Sequence, residues 1–291
     1  MKPAPFRYAA PRSVGEALAL LQEYGPKAKV LAGGQSLVPL LHMRLARPEV
    51  LVDINRIRAL AYIRRRDDRL HIGALTRQRA VEASATVRRH VPLLWEAIRS
   101  VGHPQIRNRG TVGGSLAHAD PAAELPAVVA ALDAELVVAG PEGERVLSPE
   151  EFFTGYLTTA LQPTELLVEI RFPPPGEGTG SAFVEVARRQ GDFALVGVAA
   201  VLQRRDGAIG QARLAFTGVG PGPVRAREAE RLLQGETATP RLFAQAAREA
   251  STRLEPPDDI HATAQYRRDL AAVLAHRALE AAWQRSRGRR R

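Results

Sequence analysis

The chain of 291 residues contains no cysteine. This excludes a disulfide, a thiolate nucleophile and any iron–sulfur cluster held by its own thiolates. Electrons passing through such a chain need an organic carrier. Long apolar runs are also missing. None approaches the roughly 18 uninterrupted residues that a membrane span requires, and the nearest candidate is broken by Pro126 and Asp133. Met1-Lys2-Pro3-Ala4-Pro5 does not lead into the apolar core of a signal peptide, so the expected location is the cytoplasm. Aromatic residues make up only 5% of the chain. None of the Tyr and Phe residues is interleaved with basic residues in the manner of a single-strand stacking platform.

Several motifs of established chemistry are absent as well. There is neither a G-x-G-x-x-G dinucleotide fingerprint nor a P-loop with its Gly-Lys-Ser/Thr ending. The histidines His42, His71, His90, His103, His118, His261 and His276 form no H-x-x-x-H or H-E-x-x-H pattern. No G-x-S-x-G elbow presents a serine. Neither a metal nor a catalytic nucleophile is therefore expected. The net charge of +10 invites a nucleic-acid reading. Part of it sits in the tail Arg285-Ser286-Arg287-Gly288-Arg289-Arg290-Arg291, which reads as a solvated terminus. The other arginines are scattered among glutamates, and nucleic acid is not the expected partner.

What is present is a soluble composition, 45% hydrophobic and 25% charged, and enough length for two domains with cores of their own. The most informative stretch is Leu31 to Asp53. An apolar strand runs into Ala32-Gly33-Gly34-Gln35-Ser36, a helix-like segment follows, and Val50-Leu51-Val52-Asp53-Ile54 reads as a buried strand. A second glycine pair stands in Thr111-Val112-Gly113-Gly114-Ser115. Paired glycines permit positive φ and let an anion approach the main chain, so that several N–H groups converge on one oxyanion. Two such turns, each beside a small hydroxyl residue, suggest one polyanionic ligand gripped from two sides.

In chain order, Ser13-Val14-Gly15-Glu16 fits a capping box that opens a helix closed by Gly25. Strands are expected at Lys29 to Leu31, Leu70 to Gly73, Glu135 to Ala139 and Leu166 to Phe172, with helices from Thr76, from Pro92 to Ser100 and from Asp120 to Leu132. Pro173-Pro174-Pro175-Gly176-Glu177-Gly178 is the best linker candidate, because it can continue neither helix nor central strand. Beyond it, Ser181 to Arg188, Ala194 to Arg204 and Ala208 to Val219 read as an antiparallel meander, and helices follow at 225–233, 240–254 and 264–284. The expected fold class is α+β.

Three stretches, LAGGQSLVPLLHMRLARPEVLVDINRI, IRNRGTVGGSLAHADPAAELPAVVAALDA and SAFVEVARRQGDFALVGVAAVL, resemble in order the FAD-binding medium subunit of the molybdenum hydroxylases. That family includes aerobic carbon monoxide dehydrogenase and bacterial xanthine dehydrogenase. The resemblance covers about Phe6 to Ala282. It implies a two-subdomain FAD domain of the vanillyl-alcohol oxidase type at residues 1–175, with subdomains at about 1–57 and 58–175. It also implies a C-terminal α+β domain with a three-stranded antiparallel sheet and helices at 178–285, before a basic tail at 286–291.

The resemblance further implies FAD as cofactor, with its pyrophosphate held by Ala32, Gly33, Gly34, Gln35, Ser36 and Leu37 and by Thr111, Val112, Gly113, Gly114 and Ser115. His118 and Asp120 fall on the cofactor wall. Glu124 is either an ionised acceptor for flavin hydroxyls or a helix-dipole residue. Leu167 is either an apolar flavin contact or a core residue. Phe193 stands where relatives often have Tyr near the isoalloxazine. Some relatives carry a Lys soon after the aromatic of Ser181-Ala182-Phe183, where this chain has Val184, Glu185 and Val186, and Arg188 is a nearby candidate for the missing charge.

As implied, the molybdenum cofactor lies on a large partner subunit and 2Fe–2S clusters on a small one, in a dimer of heterotrimers. This chain then passes electrons through FAD to NAD, a quinone or oxygen. The substrate, whether CO, a purine, an aldehyde or an N-heterocycle, would meet the large subunit and leaves no mark here. Two other readings stand beside this one: a stand-alone FAD-dependent reductase or oxidase on the same fold, and a non-enzymatic nucleotide- or RNA-binding scaffold.

Overall fold

The computed structural model describes residues 2–287. Of the basic tail, residues 288–291 lie outside the described residues. The first layer is a small parallel sheet in the order Arg7–Ala9, Val50–Asp53, Ala28–Leu31. Parallel neighbours need crossover connections, and these are supplied by the helices Val14–Tyr24 and Leu37–His42. Ser13 caps the first helix by accepting from the Glu16 N–H at 3.1 Å. The Glu16 carboxylate reaches past it to the Arg12 N–H at 2.8 Å, so half of the expected capping box forms. Gly25, at φ +50°, closes the helix. Ala17 and Leu21 bury its inner face against Val50, Val52 and Ile54.

The second layer is an antiparallel five-stranded sheet, in the order Ile63–Arg66, Arg69–Gly73, Leu166–Phe172, Glu135–Gly140, Gly143–Leu147. The helices between residues 78 and 131 cover one face, with Leu93, Leu94, Ile98 and Leu116 at its core. The second glycine pair is no turn: Gly113 and Gly114 lie in the first turn of the helix Val112–His118, capped by the Thr111 hydroxyl, which accepts from the Gly114 N–H at 3.0 Å. The next helix begins at Glu124, because Asp120 first folds the chain back in a turn, its carboxylate accepting from the Ala122 N–H at 2.9 Å. That helix, Glu124–Ala131, is buried along all eight residues.

Pro173 to Gly178 carries no regular structure. After it, Thr179–Ala187, Ala194–Arg205 and Ala208–Thr217 form the expected antiparallel meander, and the short strand Val224–Arg225 adds to its edge. The helices Pro240–Thr252 and Ala264–Arg285 cover one face of this sheet. From the other face, Phe183, Ala199, Val201 and Ala215 join the core of the preceding domain. Polar contacts cross the same boundary. Glu96 accepts from the Phe183 N–H at 3.1 Å and from Arg285 Nη1 at 2.7 Å, and Gly218 donates to the Pro121 carbonyl at 2.8 Å. Among the described residues, no helix is long and apolar enough to cross a membrane.

Candidate functional site

A cavity of about 790 Å³ opens where the first glycine turn meets the helix that starts at Val112. Its size falls within the range of roughly 300 to 1,000 Å³ usual for small-molecule and cofactor sites. The first turn follows directly from the end of the strand Ala28–Leu31, and Gly34 takes φ +76° there. Gly33 is required for a different reason: a Cβ would stand 2.5 Å from the Arg109 carbonyl oxygen and 2.8 Å from Gly110 Cα. The two glycine segments therefore touch through their main chains.

The turn then presents a row of amides. Among the described residues, the N–H groups of Gly33, Gly34, Gln35, Ser36 and Leu37 donate to no protein acceptor. Polar groups so placed at a cavity wall call for an external acceptor. The Ser36 hydroxyl is likewise without a protein partner among these residues, while the Gln35 side chain is folded back onto the Gly33 carbonyl at 3.2 Å.

The second segment works differently. Val112 donates to the Thr76 carbonyl at 3.0 Å, Gly113 to Ala74 at 2.9 Å and Gly114 to the Thr111 hydroxyl. Ala74 occupies the place of a Gly113 Cβ. Val112 and Gly113 thus form the back of the wall, and Thr111, Gly114 and Ser115 face the cavity. The pair of equivalent amide nests suggested by the sequence is one nest facing the capped start of a helix.

His118, Asp120, Glu124 and Phe193 also line the cavity. Burial, with Lys29 nearby, holds the His118 imidazole below its ordinary value against the opposing pull of Asp120. Glu124 is 3% exposed. Burial, reinforced by the charge of Glu185, pushes its carboxyl up to about 8. At neutral pH it is therefore protonated and able to donate, whereas the first of the two readings from the sequence had it ionised and acceptor-only. Glu185 is itself raised to about 7 by burial. Phe193 is 61% exposed at the mouth, beside Gly191, whose main chain rests on the His103 ring. Leu167 is 3% exposed within the core and does not reach the cavity.

Sequence reading missed Lys29. It lines the cavity and has no ion-pair partner among the described residues. Its neighbour Lys27 pairs with Glu49. The alternation of a strand that points Lys29 to the same side as Leu31 and the turn was the available signal. Arg188 instead contacts His261 Nδ1 at 2.9 Å and does not line the cavity. Gln78 and Gln162 were also missed and line the wall.

The row of free amides, an uncompensated lysine, hydroxyls at Ser36 and Ser115, and apolar walls fit a long ligand with an anionic centre. Family models point to the same ligand. Residues 4–175 match the FAD binding domain in molybdopterin dehydrogenase, and residues 181–282 match the CO dehydrogenase flavoprotein C-terminal domain. The chain belongs to the molybdopterin dehydrogenase flavoprotein family. FAD is its cofactor, and it is an oxidoreductase subunit.

Relatives of this flavoprotein family span its whole length. The carbon monoxide dehydrogenase medium chain of Hydrogenophaga pseudoflava is 41% identical over 285 residues, covering 98% of this chain and 99% of that one. The 6-hydroxypseudooxynicotine dehydrogenase complex subunit alpha of Paenarthrobacter nicotinovorans is 44% identical over 288 residues, covering 99% and 97%. Among solved structures, the carbon monoxide dehydrogenase of Hydrogenophaga pseudoflava lacking the Mo-pyranopterin moiety superposes with a TM-score of 0.96 at 42% identity, covering 98% of this chain and 99% of that one. Quinoline 2-oxidoreductase from Pseudomonas putida 86 gives 0.94 at 38% identity, with the same coverage.

Proposed function

We propose that this chain is the FAD-binding electron-transfer subunit of a molybdenum hydroxylase complex. In this reading a large molybdenum-cofactor subunit and a small 2Fe–2S subunit are its partners, in a dimer of heterotrimers, and an external acceptor takes the electrons. The observation that carries the reading is the run of five unpartnered amides, Gly33 to Leu37, beside Lys29 in a cavity of cofactor size. Relatives named as medium chains or subunits of dehydrogenase complexes support the assembly.

Bound FAD would supply the two-electron redox chemistry. The chain's own residues bind and orient it. The amides of Gly33 to Leu37 and the hydroxyls of Ser36 and Ser115 would hold the pyrophosphate, and Lys29 would offset its charge. Thr111 holds the opposing helix start. Glu124, protonated at neutral pH in the FAD-free chain, would offer a donor to the cofactor, while His118 and Asp120 form the adjoining wall. Phe193 shields one side of the mouth with an apolar surface. No side chain has to move a proton in this role. In this reading the linker at 173–178 divides a FAD-binding part from a C-terminal part, a division supported by the two matched stretches, 4–175 and 181–282.

The test is purification of the chain alone and together with the chains encoded beside it. The isolated chain should hold one FAD and hydroxylate nothing, and the complex should contain molybdenum and iron. Turnover of an organic donor by the isolated chain would favour a stand-alone reductase or oxidase. Salt-sensitive RNA binding without flavin would favour a scaffold.

A further inference from the structure

Outside the cavity lining, a chain of side chains ties the two glycine segments together. Asp53 ends the strand Val50–Asp53 and caps the turn that follows, accepting from the Asn55 N–H at 2.9 Å. The same carboxylate accepts from Asn55 Nδ2 at 2.6 Å and from the Tyr8 hydroxyl at 2.6 Å. So fixed, Asn55 Nδ2 also donates to the Ala32 carbonyl at 2.8 Å, the residue directly before the amide row.

The Asn55 side-chain oxygen accepts from Arg77 Nη2 at 2.6 Å, and Arg77 Nη1 donates to the Arg109 carbonyl. That carbonyl is the atom against which Gly33 is seated. The main chain around Arg77 is committed to the second segment as well. Arg77 bridges Thr111, with Gln78 donating to the Gly110 carbonyl at 2.9 Å and Val112 to the Thr76 carbonyl at 3.0 Å. Arg77 therefore borders the second segment with its backbone and reaches the first through Asn55, the residue its side chain holds.

We propose that Arg77 and Asn55 form a strap that fixes the spacing between the amide row of Gly33 to Leu37 and the helix start at Thr111 to Ser115, and so act as positioning residues for the dinucleotide's pyrophosphate. The proposal rests on the FAD reading above. Neither residue lines the cavity, so both act through the backbone they hold. The planar guanidinium suits the task because it donates from two nitrogens in fixed directions. A lysine would carry the same charge and could not hold both acceptors in that geometry. The amide of Asn55 suits it because it donates and accepts at once.

The test uses the full chain, deflavinated and titrated with FAD by flavin fluorescence, with thermal unfolding of each FAD-free variant alongside. Arg77→Ala and Asn55→Ala should each raise the FAD Kd about tenfold or more, mainly through faster release. The double variant should be no weaker than the weaker single, because cutting a strap twice loses nothing further. Arg77→Lys should be as weak as Arg77→Ala.

Wild-type affinity in either alanine variant, multiplying losses in the double variant, or full rescue by Arg77→Lys would each overturn the strap. Should an alanine variant not fold, Arg77→Lys and Asn55→Asp carry the same comparison, since Asn55→Asp removes the donor to Ala32 with little change of shape. If the unaltered chain takes up no FAD, the cofactor reading fails, and the strap has no pyrophosphate to position.

Discussion

Replacing Glu124 by Gln should make the FAD-free protein increasingly more stable than wild type as the pH rises, and the size of the effect follows from its burial. With the folded-state carboxyl at about 8 and an unfolded value near 4.5, the native state binds a proton that the unfolded chain has released. Stability contributed by this group is therefore present in acid and is lost as pH climbs from about 4.5 through 8. Between pH 6 and 8.5 the loss is on the order of 2 to 3 kcal/mol at about 1.4 kcal/mol per pH unit. Glutamine keeps the shape and a donor but has no proton to lose. Urea denaturation of wild type and Glu124→Gln across this range should give curves that diverge by that amount, with the variant the flatter. His118, held below its ordinary value by burial in both proteins, cancels in the difference. Glu185 leaves a smaller residual slope in the variant. Parallel curves would refute the assignment of a neutral Glu124 to the native state.

Further outcomes can be measured. Gly114→Val puts side-chain atoms where the Thr111 hydroxyl stands and should weaken FAD binding at least tenfold in a folded protein, read by flavin retention on gel filtration. Gly33→Val meets main chain at 2.5 Å and should lower the melting temperature of the FAD-free protein as well, so it reports packing and binding together. Lys29→Ala should cost about tenfold in FAD affinity, the scale of one charge-assisted hydrogen bond, with the wild-type advantage shrinking in high salt. At the boundary between the two parts, Glu96→Ala should destabilise by about 1 to 3 kcal/mol because it strands the Phe183 N–H. Arg285→Ala removes a half-exposed ion-pair partner and the donor to the Ser181 carbonyl but leaves the Phe183 N–H paired, and should cost less than Glu96→Ala, both by denaturant titration.

The sequence made the first turn legible because its glycines answer local needs: a positive φ at Gly34 and a close approach at Gly33. The second pair was misjudged in shape. Glycine is a poor helix former, and what calls for Gly113 in the first turn of this helix is Ala74, packed where a Cβ would stand, a contact from 39 residues away (113 − 74). The edge strand Ile63–Arg66 was not among the expected strands, since three consecutive arginines carry no apolar pattern, although charge is what an exposed edge tolerates. Leu167 could not be told apart from a cavity residue, since an apolar strand position looks the same from either side of a wall. Asn55 and Arg77 were invisible as a pair. Their meaning lies in two carbonyls, Ala32 and Arg109, that only the folded chain brings together.

The shared core at Phe183, Ala199, Val201 and Ala215 changes what the proline-rich segment at 173–178 can mean. It is a seam in the chain and no joint in the body. Cutting there would peel an apolar face from the helices that back the cavity and would release the Pro121 carbonyl from Gly218, loosening the rim at Asp120 on which the cofactor would lean. A fragment ending at the seam should therefore behave as an adhesive, half-built particle that loses flavin and aggregates. The C-terminal part, which contributes Gly191, Asp192 and Phe193 to the cavity lining, would then serve as an outer wall to it, and its docking would be a condition for the cavity keeping its shape.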